Sequence, residues 1–306
     1  MVGLFILLTF IPFSSPLNAK FIASAMTFGS GRNSTVTASF NSAPHPSHVA
    51  AIDEHGRVSW SPLASQGRRS PLDLSAFSLP PPFPHLNPGR NTLELTLSCP
   101  HRAPCSIQMR AFCWSLPPAH SRRLVVVDID GTITRSDVGG HVLPLFGISW
   151  AQPGVAALMR AIASNGYHIV YLTIRPLFLA DRTRRYLQWL DMPEAPVITS
   201  PDTALKSVHR EVTGCAHIFK SKALAAISSV FSRVEGDSSA PVFHSTFGNR
   251  STDMKAYAAA GVEPSRVFIV DPRGRLTSAG AATQLSGGSY SAMLQRVNEL
   301  FPPLTT

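Results

Sequence analysis

The stretch Leu124-Val-Val-Val-Asp128-Ile-Asp130-Gly-Thr132-Ile-Thr134 decides the fold of this 306-residue chain. Its four opening apolar residues predict a short buried strand, since β-branched residues fit a sheet that is covered on both faces. The strand leads into two acids, Asp128 and Asp130, and then into Gly131, which permits a sharp turn. Such carboxylates lie where open α/β sheets bind ligands. Because buried carboxylates need a partner, the stretch indicates a bound cation or a reaction, and a plain acidic turn is the alternative.

The pattern downstream alternates between strand and helix signals. Further strands are predicted at 168–173, 196–200, 241–247 and 266–270, with helices at 154–163, 179–190, 219–231 and 252–260. A closing helix is predicted at 292–301. Alternation of this kind predicts an α/β fold with a doubly wound parallel sheet.

A small antiparallel β unit is predicted just before this sheet. Residues 91–97 alternate apolar and polar side chains, and residues 106–114 form a second strand signal. Two strands alone are marginally stable, so they need partners. We expect these partners either in the weak strand signals at 36–40 and 58–60 or in the following domain.

The amino-terminal part of the chain is the hardest to interpret. Residues 2–13 form an apolar run that is too short to span a bilayer comfortably. A signal peptide, a transit sequence, a membrane-surface anchor and a misassigned start site all stay open. The predicted segments are 1–28 (targeting-like or anchor), 29–85 (largely disordered linker), 86–120 (β unit), 121–276 (catalytic domain) and 277–306 (tail with the closing helix).

The charge balance of the chain favours an anionic partner. The formal net charge is +9, which suits nucleic acid, a phosphorylated substrate or an anionic lipid surface. No nucleic-acid motif and no long Lys/Arg run occurs, so we expect no contact with nucleic acid. The four cysteines have no zinc-site spacing, and we predict reduced, partly buried thiols rather than a disulfide.

Polar side chains gather at the ends of successive predicted strands. They are Asp128 and Asp130 after the first strand, Thr173 and Arg175 after the second, Lys220 at a helix start after the third, and Asn249 and Asp253 after the fourth. Each residue alone is a weak signal, because an Asn in a turn or an Asp in a first helical turn is common. Right-handed crossovers would bring all of them to one edge of the sheet.

This set of residue types suits the cleavage of a phosphate monoester. The ester is a dianion that repels nucleophiles, and Mg²⁺ together with a lysine would offset that repulsion. We predict that Asp128 is the nucleophile and that Asp130 first donates a proton and then activates water. The predicted phosphate-binding residues are Thr132, Thr173, Arg175 and Lys220. The predicted metal ligands are Asp128, Asp130, Asn249 and Asp253.

Several motifs resemble those of a known family. They are Asp128-Ile-Asp-Gly-Thr-Ile-Thr-Arg-Ser-Asp137, Gly140-His-Val-Leu-Pro-Leu-Phe-Gly147, Tyr171-Leu-Thr-Ile-Arg175, Ala180-Asp-Arg-Thr-Arg-Arg-Tyr-Leu187, His209-Arg-Glu-Val212 and Phe247-Gly-Asn-Arg-Ser-Thr-Asp253. The first is similar to the D-x-D-x-T motif of haloacid dehalogenase (HAD) superfamily phosphohydrolases. Together they resemble the catalytic (LNS2) domain of lipins over residues 86–276.

The resemblance implies a HAD-like (Rossmannoid) fold and a Mg²⁺-dependent phosphatidate phosphatase. Such an enzyme would form an aspartyl-phosphate and feed triacylglycerol and phospholipid synthesis. It would act on phosphatidate in an anionic membrane surface, as a cytoplasmic protein peripherally associated with the endoplasmic reticulum or nuclear membrane. Organelle targeting or anchoring by the apolar amino terminus is the alternative.

The chain also departs from the family pattern. Thr173 stands where members usually have Ser, Ile174 replaces a small residue, and the amino-terminal lipin segment is not recognisable. Two other functions stay open: a non-catalytic phosphatidate sensor and a soluble small-molecule phosphatase. The intact acid pair argues against the sensor. The short segment between Thr132 and the next helix leaves little room for a cap over a soluble substrate.

Overall fold

The structure is a computed structural model that describes part of the chain. The described residues are 3–9, 35–40, 43–44, 51–52, 58–59, 87, 89–98, 105–116, 124–135, 151–176, 179–200, 216–235, 242–280 and 288–304. They belong to two compact units, Met1–Leu116 with Leu177–Asp181 and Pro117–Pro176 with Arg182–Thr306. The rest of the apolar amino terminus, most of the predicted linker and the motifs at 140–147 and 209–212 lie outside the described residues.

The first unit contains an antiparallel sheet. Its strands are β1 (Gly3–Thr9), β2 (Thr35–Phe40), β3 (Ala43–Pro44), β6 (Gly89–Ser98) and β7 (Cys105–Leu116), and β4 (Ala51–Ile52) pairs separately with β5 (Val58–Ser59). The order in the larger sheet is β1-β7-β6-β2-β3. The two predicted strands therefore find their partners upstream, since β2 pairs with β6 and β1 pairs with β7.

This sheet contains strands from three of the predicted segments. Strand β1 lies in the apolar amino-terminal segment, and β2 and β3 lie in the stretch 29–85 that composition predicts to be linker, as does the separate β4–β5 pair. Only a few residues of that stretch are described, and the predicted segment boundaries stay predictions. The apolar residues of β1 pair along β7 from Gly3 to Thr9, so here they act as a sheet edge.

The second unit is built on a six-stranded sheet. Its strands are β8 (Leu124–Asp128), β9 (His168–Pro176), β10 (Val197–Ser200), β11 (Phe243–Gly248), β12 (Val267–Val270) and β13 (Leu276–Ser278), in the order β10-β9-β8-β11-β12-β13. Strands β8 to β12 pair in parallel, and β13 is antiparallel to β12. The predicted α/β fold with a doubly wound, mainly parallel sheet is confirmed. Strand β13 was not predicted, because a three-residue edge strand carries too little pattern.

The helices of this unit follow the predicted alternation. They are α1 (Val155–Ser164), α2 (Ala180–Trp189), α3 (Ala216–Glu235), α4 (Ser251–Ala259), α5 (Tyr290–Gln295) and α6 (Val297–Leu300). The predicted closing helix is thus split into α5 and α6. Helix α1 packs with α5, whereas α3 packs with α4. Among the described residues, none of the helices has the length and apolar character needed to cross a membrane.

The core explains why the opening stretch decides the fold. All five residues of β8 are buried, as a strand covered on both faces requires. Helix α1 buries Val155, Leu158, Met159 and Ile162, which recur at helical spacing. These side chains belong to one apolar cluster with Val125 and Val127 of β8.

The strand order places a switch point between β8 and β11. The chain runs outward from β8 through β9 to β10, and then returns to β11 on the other side of β8. Open α/β sheets bind ligands in the crevice at the carboxyl ends of the strands where the order reverses. Asp128 ends β8 and Asn249 follows β11, so this crevice lies between two predicted site residues.

Candidate active site

The turn after β8 presents Asp128 at the sheet edge. The backbone N–H groups of Ile133 and Thr134 both donate to the Ile129 carbonyl, at 2.9 and 3.1 Å. Gly131 turns the chain with φ of +81°, a backbone conformation that favours glycine. The Thr132 hydroxyl then donates to Asp128 Oδ2 at 2.9 Å. The turn therefore fixes one oxygen of the Asp128 carboxylate.

Lys220 lies between two buried carboxylates. Its Nζ donates to Asp128 Oδ1 at 2.5 Å and to Asp253 Oδ1 at 2.7 Å. The three side chains are at most 5% exposed. Lys220 thus joins the end of β8 to the starts of α3 and α4, and the three groups together carry one net negative charge when all are ionised.

Asp253 is held by the start of its own helix. The backbone N–H groups of Asn249 and Arg250 donate to Asp253 Oδ2 at 3.0 and 3.1 Å. An acid is favoured in the first turn of a helix, where N–H groups lack partners. Gly248 leaves room for this carboxylate, since a Cβ there would be 2.9 Å from Asp253 Oδ2.

A second group of side chains surrounds Asp130. Arg175 Nε donates to Asp130 Oδ1 at 3.0 Å and Nη2 donates to the same oxygen at 2.7 Å, while the Thr173 hydroxyl donates to Oδ2 at 3.0 Å. Arg175 Nη1 in turn donates to the Thr183 hydroxyl at 3.2 Å. We call Thr173, Arg175 and Thr183 the Asp130 clamp. It leaves the Asp130 side chain 30% exposed, more than the Asp128 side chain.

Burial dominates the electrostatics of the first group. It raises the pKa of Asp128 from 3.8 to about 7, with help from the charges of Asp253 and Asp130 and against the pull of Lys220. Burial alone would lower the pKa of Lys220, but the charges of Asp128 and Asp253 outweigh it and raise that pKa. Burial alone would also lower the pKa of Arg175, but the charge of Asp130 and its hydrogen bonds to Arg175 outweigh it and raise that pKa. The cluster around Asp128 is therefore short of positive charge.

Comparison with known proteins identifies the family. The LNS2 (Lipin/Ned1/Smp2) family model matches residues 83–302. The chain belongs to this family. The resemblance seen in its motifs is confirmed, and the match includes every predicted site residue of this LNS2 chain.

Named relatives are similar over the same part of the LNS2 chain. The "Phosphatidate phosphatase LPIN3" of Mus musculus is 33% identical over 226 residues, which cover 72% of this chain and 25% of the relative. The "Phosphatidic acid phosphohydrolase 1" of Saccharomyces cerevisiae is 34% identical over 235 residues, 72% of this chain and 26% of that protein. The LNS2 chain therefore spans about a quarter of the length of these relatives.

A solved structure is similar in part. It is the cobalt-bound form of the deoxy-D-mannose-octulosonate 8-phosphate phosphatase from Haemophilus influenzae, with 13% identity and a TM-score of 0.32. The match covers 58% of the LNS2 chain and 88% of that structure. At this TM-score the likeness says nothing about the site.

The structure describes all eight predicted site residues of the LNS2 chain and places them in two contact groups. Asp128, Thr132, Lys220 and Asp253 form one group, with Asn249 contributing its backbone N–H to Asp253. Asp130, Thr173 and Arg175 form the other. Thr173 and Arg175 were predicted to bind phosphate, and here both contact Asp130. The predicted roles stay predictions.

Sequence reasoning missed three residues that support these groups. Thr183 belongs to the Asp130 clamp, Tyr290 donates its hydroxyl to the Thr132 carbonyl at 2.9 Å, and Tyr257 donates to the Phe247 carbonyl at 2.9 Å. Thr183 lies in the motif at 180–187, whose only sequence signal is its family resemblance. No spacing signal connects Tyr290 to a residue so far away in the sequence.

The donors of the first group fit a hard divalent cation in kind. Carboxylate oxygens of Asp128 and Asp253 and the amide oxygen of Asn249 are the ligand types that Mg²⁺ takes. The raised pKa of Asp128 indicates that the cluster would accept further positive charge. In the described part of the chain, however, no three His, Cys, Asp or Glu side chains are grouped to hold a metal. Lys220 occupies the position between Asp128 and Asp253, and Asp130 is engaged by its clamp.

Proposed function

We propose that this LNS2 chain is a Mg²⁺-dependent phosphatidate phosphatase of the HAD type, which converts phosphatidate to diacylglycerol and phosphate. One observation carries the proposal: a buried Asp128–Lys220–Asp253 arrangement ends at the switch point of the sheet, with the more exposed Asp130 beside it. The family relatives named as phosphatidate phosphatases supply the substrate class.

Asp128 is the nucleophile in this proposal. Its carboxylate oxygen attacks phosphorus, a phosphorus–oxygen bond forms, and the bond from phosphorus to the glycerol oxygen breaks. Lys220 and Thr132 each hold one oxygen of Asp128, so the attacking group is preorganised rather than free to rotate. Water then hydrolyses the aspartyl-phosphate and releases phosphate.

Asp130 moves the protons. It donates a proton to the departing glycerol oxygen and then accepts one from the attacking water. The Asp130 side chain is more exposed than that of Asp128, which suits this role. The substrate enters from solvent or a lipid surface, and its leaving group carries the diacylglycerol. The Asp130 clamp orients the carboxyl group for both transfers.

The cation and the phosphate-binding side chains supply the positive charge. Asp128, Asn249 and Asp253 would hold Mg²⁺, whose charge would favour the approach of a carboxylate to a phosphate dianion. Asp130 as a fourth ligand stays a prediction. Lys220 contributes a fixed positive charge. Phosphate binding by Thr132, Thr173 and Arg175 stays a prediction, because Thr132 here donates to Asp128 and the other two donate to Asp130.

The proposed location follows from the substrate. Phosphatidate lies in a membrane, so the chain would associate peripherally with an anionic surface of the endoplasmic reticulum or nuclear envelope from the cytoplasm. There its product would enter triacylglycerol and phospholipid synthesis. The proposal can be tested by substituting Asp128 and Asp130 and by withholding Mg²⁺.

Phosphate release from phosphatidate in mixed micelles tests the proposal. We expect release that requires Mg²⁺ and that falls by about 10³-fold or more in Asp128→Asn and Asp130→Asn. Asp191→Asn is the matched control, since Asp191 is 82% exposed and has a φ of +58°, which Asn tolerates. Wild-type rates in either active-site variant would reject the mechanism. Vesicle binding without any release would favour the sensor, and faster release from a soluble sugar phosphate would favour the small-molecule phosphatase.

A further inference from the structure

Three large apolar side chains stand out as exposed among the described residues. They are Trp189, Ile218 and Met254, at 77%, 44% and 38% exposure. Ile218 precedes Lys220 by two residues, and Met254 directly follows Asp253. Two of the three therefore accompany residues of the candidate active site, which scattered surface apolar residues would not do.

Ile218 and Met254 lie on neighbouring first helical turns. Helix α3 begins at Ala216 and α4 begins at Ser251, and the two helices pack together. The Lys220–Asp253 contact of 2.7 Å ties these turns to each other and to the end of β8. Both residues therefore lie on the helix starts that carry Lys220 and Asp253, near the carboxyl edge of the sheet.

Among the described residues next to these two side chains in the sequence, the exposed charges have one sign. Lys222 is exposed one turn after Ile218, and Arg250 and Lys255 are exposed beside Met254. The only acid within 216–228 and 250–259 is Asp253, which is 2% exposed and held by Lys220. We call Ile218, Lys222, Arg250, Met254 and Lys255 the active-site rim.

We infer that the active-site rim docks on an anionic lipid bilayer, an assignment that rests on the function proposed above. Surface binding to such bilayers combines buried apolar side chains with cations that face lipid headgroups, and the rim offers both. Phosphatidate keeps its acyl chains in the bilayer, so the mouth of the site must face the membrane for the phosphate to reach Asp128. The rim lies on or directly before the first two turns of the helices that carry Lys220 and Asp253, and its cations complement the negative headgroups.

The inference is tested with the full chain and two kinds of vesicle. One kind is phosphatidylcholine alone, and the other is phosphatidylcholine with phosphatidate. The double variant Ile218→Gln/Met254→Gln removes apolar surface while keeping good helix formers. The control is Trp189→Gln, because Trp189 is more exposed but ends α2, at the edge of the sheet where β10 begins.

We expect the Ile218→Gln/Met254→Gln protein to bind phosphatidate vesicles about tenfold more weakly than the wild type. Trp189→Gln should bind like the wild type. The Lys222→Gln/Lys255→Gln protein should lose affinity for these vesicles by a similar factor. The difference from the wild type should shrink at high salt, because the lysine charges are then screened. Turnover of a short-chain phosphatidate below its micellar concentration should be unchanged in all three proteins.

The possible outcomes separate this inference from the proposed function. Unchanged vesicle binding in the Ile218→Gln/Met254→Gln protein, or an equal loss in Trp189→Gln, overturns the inference even if the enzyme is active. If the Ile218→Gln/Met254→Gln protein keeps its vesicle binding but no longer self-associates or no longer binds an acidic protein, the rim is a surface for a second copy or for that protein. Either result also overturns the inference. Weakened vesicle binding in a chain that never releases phosphate supports the docking surface while rejecting the enzyme.

Discussion

The side-chain amide of Asn249 lies directly against Gly131. A Cβ atom on residue 131 would come within 1.8 Å of Asn249 Nδ2 and 2.8 Å of Asn249 Cγ. The contact joins the turn after β8 to the turn after β11, which are the two sides of the switch point. Glycine at this position therefore serves two purposes, a φ of +81° and a close approach to a predicted metal ligand.

We expect Gly131→Ala to abolish most of the activity. The added methyl group cannot coexist with the present position of Asn249, and alanine is also strained at positive φ. The activity should fall by about 10²-fold or more, and the free energy of unfolding should fall by about 1–3 kcal/mol. Phosphate release and urea unfolding measure the two effects.

Gly261→Ala is the matched control for this variant. Gly261 has a φ of +74°, and a Cβ there would have nothing within 4 Å. It therefore reports the cost of positive φ alone. Equal activity in the two alanine variants would contradict the importance of the Gly131–Asn249 contact.

The Asp130 clamp predicts an effect from Thr183, which acts on Asp130 through Arg175. Thr183→Val keeps the shape of the side chain but removes the acceptor for Arg175 Nη1. Arg175 would then hold Asp130 less firmly, and proton transfer to the leaving group would suffer. We expect kcat to fall about tenfold with KM unchanged, as for an interaction realised in the transition state.

Thr183→Ser should restore most of this loss, because serine keeps the hydroxyl. The thermal midpoint of unfolding, measured for both variants, separates a positioning role from a packing role. Ser lacks the methyl group and leaves a small void at this buried residue, so it should lower the midpoint, whereas Val fills the space but lacks the hydroxyl. A kcat that follows the thermal midpoint and not the presence of the hydroxyl would argue that Thr183 serves packing alone.

Much of the second unit could be predicted because its signals are local. A run of β-branched residues that ends in an acid pair identifies β8, and the spacing of Val155, Leu158 and Ile162 identifies α1. The pairing of β1 with β7 could not be predicted, because an apolar run at a chain start also fits a targeting segment. Strand β13 depends on its pairing with β12 rather than on its own three residues.

The candidate site also has one part that could be predicted from the sequence and one part that could not. Carboxyl ends of parallel strands meet at one edge, so the proximity of Asp128, Lys220 and Asp253 could be anticipated from their order alone. The clamp around Asp130 could not, since it depends on which side chain of α2 meets Arg175. Which group holds which oxygen is decided by rotamers and packing, and the sequence pattern carries no such information.

Lys220 should be essential to the stability of the folded chain as well as to activity. Lys220→Met leaves the Asp128 and Asp253 carboxylates buried without their shared cation. Removing one partner of a buried ion pair costs about 3–5 kcal/mol, since an uncompensated charge remains. We expect a loss of this size in the free energy of unfolding, measured by urea denaturation in the presence of a chelator.

Two further proteins make the Lys220 result specific. Lys222→Met changes an exposed lysine of the same helix and should stay within about 0.5 kcal/mol of the wild type. Asp253→Asn in the Lys220→Met background removes one of the two unpaired charges and should regain part of the loss. If Lys220→Met proves as stable as Lys222→Met, the buried cluster does not exist as described.

The buried Asp128 carboxyl group predicts how stability depends on pH in the metal-free chain. Burial raises its pKa from 3.8 to about 7, so between these values the folded state binds a proton that the unfolded state has released. Stability should therefore decrease as pH rises from about 4 to about 7, by a few kcal/mol in total, and level off above. Asp128→Asn mimics the protonated group. The difference in unfolding free energy between wild type and variant, measured with chelator across this range, should decline with pH, and a constant difference would contradict the raised pKa.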